Sequence, residues 1–382
     1  MTTDRTLRLA TRGSDLALRQ AATVTEALAS RRQSVELVEV ETTGDQIQDE
    51  LIHRLGKTGA FVRSLDQQVL DGEVDAAVHS MKDVPTESPP ELIVAGVPER
   101  GPAGDVLLTP DGTSLDDLPE GATVGTASLR RAAELRAERP DLEIEPLRGN
   151  VDTRVEKLLA PSLQREHERR LERAVGEQSD DEDEDVDADD LDPENLSDAV
   201  LAEIDEWFDG LHEIERRATE RDVETEYDAI VLAEAGLDRM GLLHAVEFER
   251  LPTDTFVPAP GQGALAVTAL DDDVGTQIHD RLDHPPTRVA TSVERIVLDE
   301  LGGGCVAPIG VHATVQGAVV HTVVRVLSQD GTEEVAASRD LPVERHARAA
   351  GDLADDLREQ GAADLIERAK REDPDERKRE DS

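Results

Sequence analysis

The stretch LRLATRGSDLALRQAATVTEALAS, residues 7–30, runs from a short apolar-rich segment through a Gly-Ser break into a long amphipathic one. Leu7 to Thr11 reads as a strand and Asp15 to Ser30 as a helix, with the Ser14 hydroxyl placed as its cap. The pattern repeats downstream: Val35 to Glu41 as strand, Gly59 to Asp71 as helix and Val74 to His79 as strand. Strands separated by helices predict a mostly parallel sheet with helices on both faces. A second unit of the same kind follows, with strands at Ala122 to Thr126, Leu142 to Leu147 and Asp228 to Leu232. Its helices are expected at Leu129 to Ala137 and Thr153 to Leu159. From about Pro285 the pattern changes to a helix (Thr287 to Leu301), three strands separated by Gly317 and Asp330-Gly331, and one or two helices between Glu344 and Ala369. This predicts a small α+β domain. The fold class is α/β with that third unit appended.

The chain of 382 residues carries a net charge of -45, and only five of its 41 basic residues are lysine. Acid spread through the whole chain is the pattern of a halophile's protein, since carboxylates hold water in concentrated salt, where the Debye length falls to about 3 Å at 1 M. Activity is expected to need high salt. One block is denser: Ala160 to Thr225 holds 25 acidic and seven basic residues and interrupts the second unit. Its middle, Ser179 to Asp190, is nearly pure Asp and Glu and is expected to be disordered. Behind it Val200, Ile204, Trp207, Phe208, Leu211 and Ile214 recur at helical spacing, a stripe expected to pack on the second unit. Residues 370–382 form a solvated charge run.

No apolar run is long enough to span a bilayer and the N-terminus lacks a signal-peptide pattern, so a cytoplasmic location is expected. A single cysteine excludes an internal disulfide, and no histidine spacing suits a metal, so none is expected. That cysteine, Cys305, follows three glycines in Leu301-Gly-Gly-Gly-Cys305. Such a loop lets other groups approach closely and suggests an attachment point. A small buried hydrophobe is the commoner use of a lone cysteine, and from this segment alone both readings stand.

Three strand-to-helix junctions share a composition: Ala10-Thr-Arg-Gly-Ser14, Gly125-Thr-Ala-Ser-Leu-Arg-Arg131 and Leu147-Arg-Gly-Asn-Val-Asp-Thr-Arg154. Arginine at a helix start opposes the helix dipole, a conflict that a ligand anion resolves. Arginines converging at the carboxyl ends of parallel strands therefore predict an anion site at a topological switch point. At a fourth junction, Val74 to His79 runs into Ser80-Met-Lys-Asp-Val-Pro85, which sets Lys82 and Asp83 at the rim of the same cleft. An aspartate among cations is favoured in its ionised form and suits stabilising a cationic intermediate or passing a proton to a leaving amine.

The strings AVHSMKDVP (77–85), GTASLRR (125–131), LRGNVDTR (147–154), YDAIVLAEAGLDRMG (227–241), PAPGQGAL (258–265) and GGGCVAPIG (302–310) together resemble the hydroxymethylbilane synthase family, also called porphobilinogen deaminase. The six strings occur in order along nearly the whole chain, apart from the acidic insertion and the tail. The resemblance implies a transferase of tetrapyrrole biosynthesis that joins four porphobilinogens head to tail, loses ammonia at each step and releases hydroxymethylbilane. It implies a dipyrromethane primer held by a thioether at Cys305. It also implies that Asp83 assists ammonia loss and stabilises the azafulvenium-like electrophile, with Lys82 beside it. The acetate and propionate groups of the pyrroles would fall on Arg12, Ser14, Lys82, Thr126, Ser128, Arg130, Arg131, Arg148, Arg154 and Arg239.

The implied fold is a pair of periplasmic-binding-protein-like (type II) domains plus a small cofactor-bearing third. The expected bounds are 1–99 with 263–280 for the first, 104–257 for the second with insertion 160–225, and 285–369 for the third. Porphobilinogen is the expected small-molecule partner of a monomer, with neither nucleic acid nor membrane. One departure is Thr58, where the family usually has lysine; Lys57 is next to it. The competing reading is a non-catalytic two-domain binding protein for a polycarboxylate, which needs the cleft and arginines but neither Cys305 nor Asp83.

Overall fold

The computed structural model describes residues 6–31, 33–40, 60–86, 88–176, 198–302 and 307–372. Thirteen strands lie among them: β1 Leu7–Arg12, β2 Val35–Val40, β3 Ala76–Ser80, β4 Leu92–Gly96, β5 Asp105–Leu108, β6 Thr123–Gly125, β7 Glu143–Glu145, β8 Ala229–Ala233, β9 Phe248–Arg250, β10 Leu265–Leu270, β11 Ile309–Gln316, β12 Val319–Leu327 and β13 Glu334–Pro342. The helices are α1 Asp15–Leu28, α2 Ala60–Leu70, α3 Leu129–Glu138, α4 Val151–Gly176, α5 Asp198–Gly210, α6 Glu213–Thr219, α7 Glu234–Met240, α8 Asp273–Leu282, α9 Pro285–Glu300, α10 His346–Glu359 and α11 Ala362–Glu372.

Two five-stranded sheets have matching topologies, β2-β1-β3-β10-β4 and β7-β6-β8-β5-β9. In each, the fourth strand pairs antiparallel with both neighbours and the other four run one way. The chain crosses between the sheets twice, over 97–104 and 251–264. Central strands here are buried on both faces, which is why they read as continuous apolar runs. In β1, Leu7 and Leu9 pack with Ala21, Val24 and Leu28 of α1. Ala10 packs on the opposite side with Val40, Leu65 and Val69. The third sheet is the antiparallel meander β11-β12-β13, whose core is closed by α9, α10 and α11 through residues such as Val297, Leu353 and Ile366. Among the described residues no helix is long and apolar enough to cross a membrane.

The insertion departs from expectation. Helix α4 does not stop at Leu159 but continues through Pro161 to Gly176. Its extension has partners: the Gln164 amide donates to the carbonyls of Thr219 and Arg221 at 3.2 and 2.9 Å. Trp207 of α5 stacks on His167 at 5.8 Å between centroids, with the Arg170 guanidinium 5.2 Å from the Trp207 ring. The apolar stripe is thus divided. Ile214 is buried in the core under β8 with Val155 and Leu158, Trp207 packs on α4, and Phe208 stays 36% exposed. The acidic stretch Ser179 to Asp190, Lys57, Thr58, Cys305 and the tail beyond 372 lie outside the described residues.

Candidate active site

A cavity of about 250 Å³ opens between the two five-stranded sheets. The carboxyl ends of β1, β3 and β8 and the N-termini of α1, α4 and α7 meet around it. At the first junction the Ser14 hydroxyl caps α1, accepting from the Ala17 N–H at 3.4 Å, and Arg12 is the last residue of β1. After β3 the chain makes one 3-10 turn, Met81–Asp83. The Met81 N–H donates to the Ala264 carbonyl at 3.0 Å, tying this turn to the second crossing. Gly261 lies so close that a Cβ there would stand 2.7 Å from the Met81 Cγ, and its φ of +75° is itself a glycine conformation.

Arg154, in the first turn of α4, donates from Nε to the Gly149 carbonyl at 2.7 Å. Arg239, at the end of α7, donates to the Gly263 carbonyl at 2.6 Å. The described lining holds five cationic side chains, Arg12, Lys82, Arg131, Arg154 and Arg239, against one carboxylate, Asp83. Ser14 lines it as well. In a chain of net charge -45 that local excess of positive charge marks an anion site.

Crowded cations have depressed affinities for protons. Lys82 keeps water-accessible surface in the cleft, yet enough protein surrounds it that burial lowers its pKa, with Asp83 opposing and Arg131 and Arg154 adding to the fall. Arg154 is pulled down to about 10 by burial and then by Arg131. Burial also lowers Arg239, with Asp238 opposing. A ligand carboxylate entering this site would reverse these penalties, because an opposite charge favours the charged form.

The structure does not bring the remaining predicted contacts into the cavity. Arg130 is buried and both its terminal nitrogens are engaged elsewhere: it donates to Asp105 Oδ2, Glu134 Oε2 and the Val257 carbonyl at 2.7, 2.7 and 2.8 Å. Arg131 faces the cavity while also donating to Asp105 Oδ1 at 2.8 Å. The two arginines hold Asp105 well below the usual carboxylate range against the opposing effect of burial. Thr126 is buried and its hydroxyl accepts from the Ser128 N–H at 3.2 Å, while Ser128 caps α3 by accepting from the Arg131 N–H at 3.4 Å. Arg148 is half-buried outside the cavity lining, and its carbonyl takes a hydrogen bond from Lys157 Nζ at 3.2 Å.

Sequence reasoning missed several residues that organise the site. Gln262 joins Arg131 to the crossings, its amide donating to Asp105 Oδ1 and the Ala103 carbonyl at 2.8 and 2.7 Å. It lies within the quoted PAPGQGAL string, which was the available signal. His79 lines the cavity from β3 and is anchored by Asp66 Oδ1 at 2.9 Å and Thr268 Oγ1 at 3.0 Å, contacts that no local pattern shows. Glu294 of α9 is completely buried; it takes both forks of Arg100 at 2.7 and 3.1 Å and the N–H groups of Gly261 and Ala313 at 2.7 and 2.8 Å. One carboxylate therefore joins both crossings to the third sheet.

Comparison with known proteins bears on what this cleft serves. Residues 7–165 and 213–277 match the family described as "Porphobilinogen deaminase, dipyromethane cofactor binding domain", and 289–359 match "Porphobilinogen deaminase, C-terminal domain". A probable porphobilinogen deaminase of Halobacterium salinarum is 57% identical over 96% of this chain and 98% of its own length. One from Methanococcoides burtonii is 36% identical over 94% and 96%. The porphobilinogen deaminase of Syntrophomonas wolfei is 35% identical over 95% and 98%. Among solved structures, the methionine-binding protein MetQ aligns with 73% of this chain and 90% of its own at 11% identity and a TM-score of 0.34, too slight a likeness to carry an argument. The reading as a non-catalytic binding protein is not favoured by these matches. The chain belongs to the porphobilinogen deaminase, or hydroxymethylbilane synthase, family: it is a tetrapyrrole-pathway transferase that condenses porphobilinogen and works with a dipyrromethane cofactor.

Proposed function

We propose that the cleft between the two five-stranded sheets is where porphobilinogen units are joined head to tail, with Asp83 as the catalytic acid and Cys305 as the thioether tether. The observation that carries this reading is the meeting of five cations and a single carboxylate, Asp83, in the described lining. The donor set fits the cofactor: each pyrrole bears an acetate and a propionate, so a dipyrromethane brings four carboxylates, and arginine forks grip carboxylates in pairs of hydrogen bonds. When bound, that group supplies the free pyrrole carbon to which the next unit is joined.

The chain's own residues do the rest. Arg131, Arg154 and Arg239 are donors to ring carboxylates and hold them in register, with Arg12 and the Ser14 hydroxyl on the opposite wall. Lys82, made easier to deprotonate by burial, keeps its proton best when a substrate carboxylate is beside it. Asp83 stands on a turn at the cavity edge, where it hydrogen-bonds the substrate's aminomethyl group, keeps that amine protonated so that it leaves as ammonia, and as a carboxylate balances the positive charge left behind. Arg130, Thr126 and Ser128 shape the wall without touching ligand. The protein acts alone in the cytoplasm as a monomer on a small molecule, without nucleic acid.

Intact-mass measurement with and without porphobilinogen tests tether, cofactor and growth together. The purified chain should carry the mass of two pyrrole units and gain further units on incubation, and Cys305→Ser should lose them. A wild-type mass equal to the bare polypeptide, unchanged by substrate, overturns the reading.

A further inference from the structure

Helix α9 grips the turn that carries Asp83. Arg295 reaches from the helix with both terminal nitrogens: Nη1 donates to the Val84 carbonyl at 2.7 Å and Nη2 to the Pro85 carbonyl at 2.6 Å. These are the first and second carbonyls after Asp83. A fork on two consecutive carbonyls fixes direction as well as distance, because rotation of either peptide breaks one bond.

The surroundings make that grip consequential. Met81 and Val84 are buried with Val97, Ala264 and Ala266, and beside them, facing α9, lies a cavity of about 290 Å³ lined by Met81, Thr86, Val97 and Arg295 among others. The apolar contacts hold the turn's side chains, and beside this cavity the Arg295 fork is what ties its last two carbonyls to α9. On the other side Gly261 lies close, since a Cβ there would stand 2.7 Å from Met81 Cγ and 3.2 Å from the Lys82 nitrogen. The neighbouring residue on the helix, Glu294, is itself locked to Arg100, Gly261 and Ala313, so α9 is a fixed post from which Arg295 acts.

We infer that Arg295 is a positioning residue for the condensation, holding the Asp83 turn at its working distance from the cleft through the Val84 and Pro85 carbonyls. This rests on the assignment of Asp83 above. Arg295 has no place in the cavity lining described for the cleft, so its loss should act on the chemical step and leave substrate capture nearly intact. Misplacing a reacting group by about 1 Å costs on the order of 10²-fold in rate.

The test uses the full-length enzyme with its cofactor and compares Arg295→Gln, Arg295→Lys, Asp83→Asn and the double variant Asp83→Asn with Arg295→Gln. Arg295→Gln is expected to lower kcat by about 10²-fold with KM for porphobilinogen little changed and the two-pyrrole mass retained. Arg295→Lys, which keeps a donor to one carbonyl, should recover part of the loss. In the double variant the Arg295 substitution should add nothing, since residues acting through one another are non-additive. Unchanged kcat in Arg295→Gln overturns the inference, as does a full further loss in the double variant or a loss that follows the unfolded fraction in thermal melts. If Asp83→Asn alone turns over normally, the failure belongs to the assignment of Asp83; if Asp83→Asn is inactive and Arg295→Gln is not, only the inference fails.

Discussion

After β3 the first sheet sets Lys82 and Asp83 on a short turn open to the cleft, whereas after β6 the second sheet sets Arg130 and Arg131 at the start of a helix, with Asp105 waiting beneath to take a hydrogen bond from each. β3 holds the third place in its sheet and β6 the second in the other, and each junction sets a cation just past the carboxyl end of a strand. They differ in whether a counter-ion has been built into the protein. Arg130 has Asp105 and Glu134 and holds the second sheet to the second crossing through the Val257 carbonyl. Lys82 has Asp83 beside it, and burial lowers its pKa against the pull of that acid. Arg130, bound to three acceptors within the protein, is thus withheld from the cleft, while Arg131, which shares Asp105 with it, still faces the cavity.

The largest expected effect separates the two junctions by activity. Asp83→Asn should keep the fold and the cofactor mass while bilane production falls by about 10²–10⁴-fold, the range for loss of a general acid; near-normal turnover would remove Asp83 from the mechanism. Next, Arg130→Ala should cost about 3–5 kcal/mol of unfolding free energy, because it takes one of two cations from the buried Asp105 carboxylate, measured by denaturant titration in high salt. A well-folded Arg130→Ala protein with weakened porphobilinogen binding would break the contrast. Arg154→Ala should do the converse: stability close to wild type, with intermediates held less tightly by about 1.5–3 kcal/mol, as for a hydrogen bond to a charged group, seen as early release of short chains by mass.

The smallest effect is the sharpest. Glu134 is pushed up to about 8, chiefly by burial with help from the Asp105 charge, and its Oε1 has no hydrogen-bond partner, as suits a neutral carboxyl. Glu134→Gln should therefore be nearly silent at pH 7. From the ordinary glutamate value of 4.5 up to about 8 the folded protein keeps a proton that the unfolded chain has released. Glu134 thus makes stability fall as pH rises across that interval, and Glu134→Gln should lack this fall in denaturant titrations. Asp105 works the other way: its contribution is present above the usual aspartate range and is lost on acidification. A Glu134→Gln protein crippled at pH 7 would show a charged pair instead.

Much of this was readable beforehand because it is local. Strand, glycine and capping hydroxyl lie together at β1 and α1, and six motifs pointed to the residues around the cleft. What was not readable depends on distant partners. Arg130 and Arg131 are neighbours in sequence, but successive helix positions point about 100° apart, and Asp105, which sorts them, lies 25 residues back from Arg130. Gln262 bonds it from 157 residues away. Strands β5 and β9 span four and three residues, too short to show a period. The continuation of α4 was hidden by Pro161 and by its place in an insertion that is acidic as a whole, although residues 161–176 themselves hold four arginines against three glutamates.

Strand β10 has a consequence for the order in which the protein is made. It lies between β3 and β4 and supplies the only partner strand of β4 among the described residues, yet it spans Leu265–Leu270. Every strand of the second sheet lies between Asp105 and Arg250. As the chain leaves the ribosome, the second sheet has all its strands first, while β3 waits as an open edge and β4 has no strand to pair with. The N-terminal sheet, begun at Leu7, is thus the later of the two to close, and the Asp83 turn gains its support from Ala264 only after the opposite wall of the cleft has all its strands.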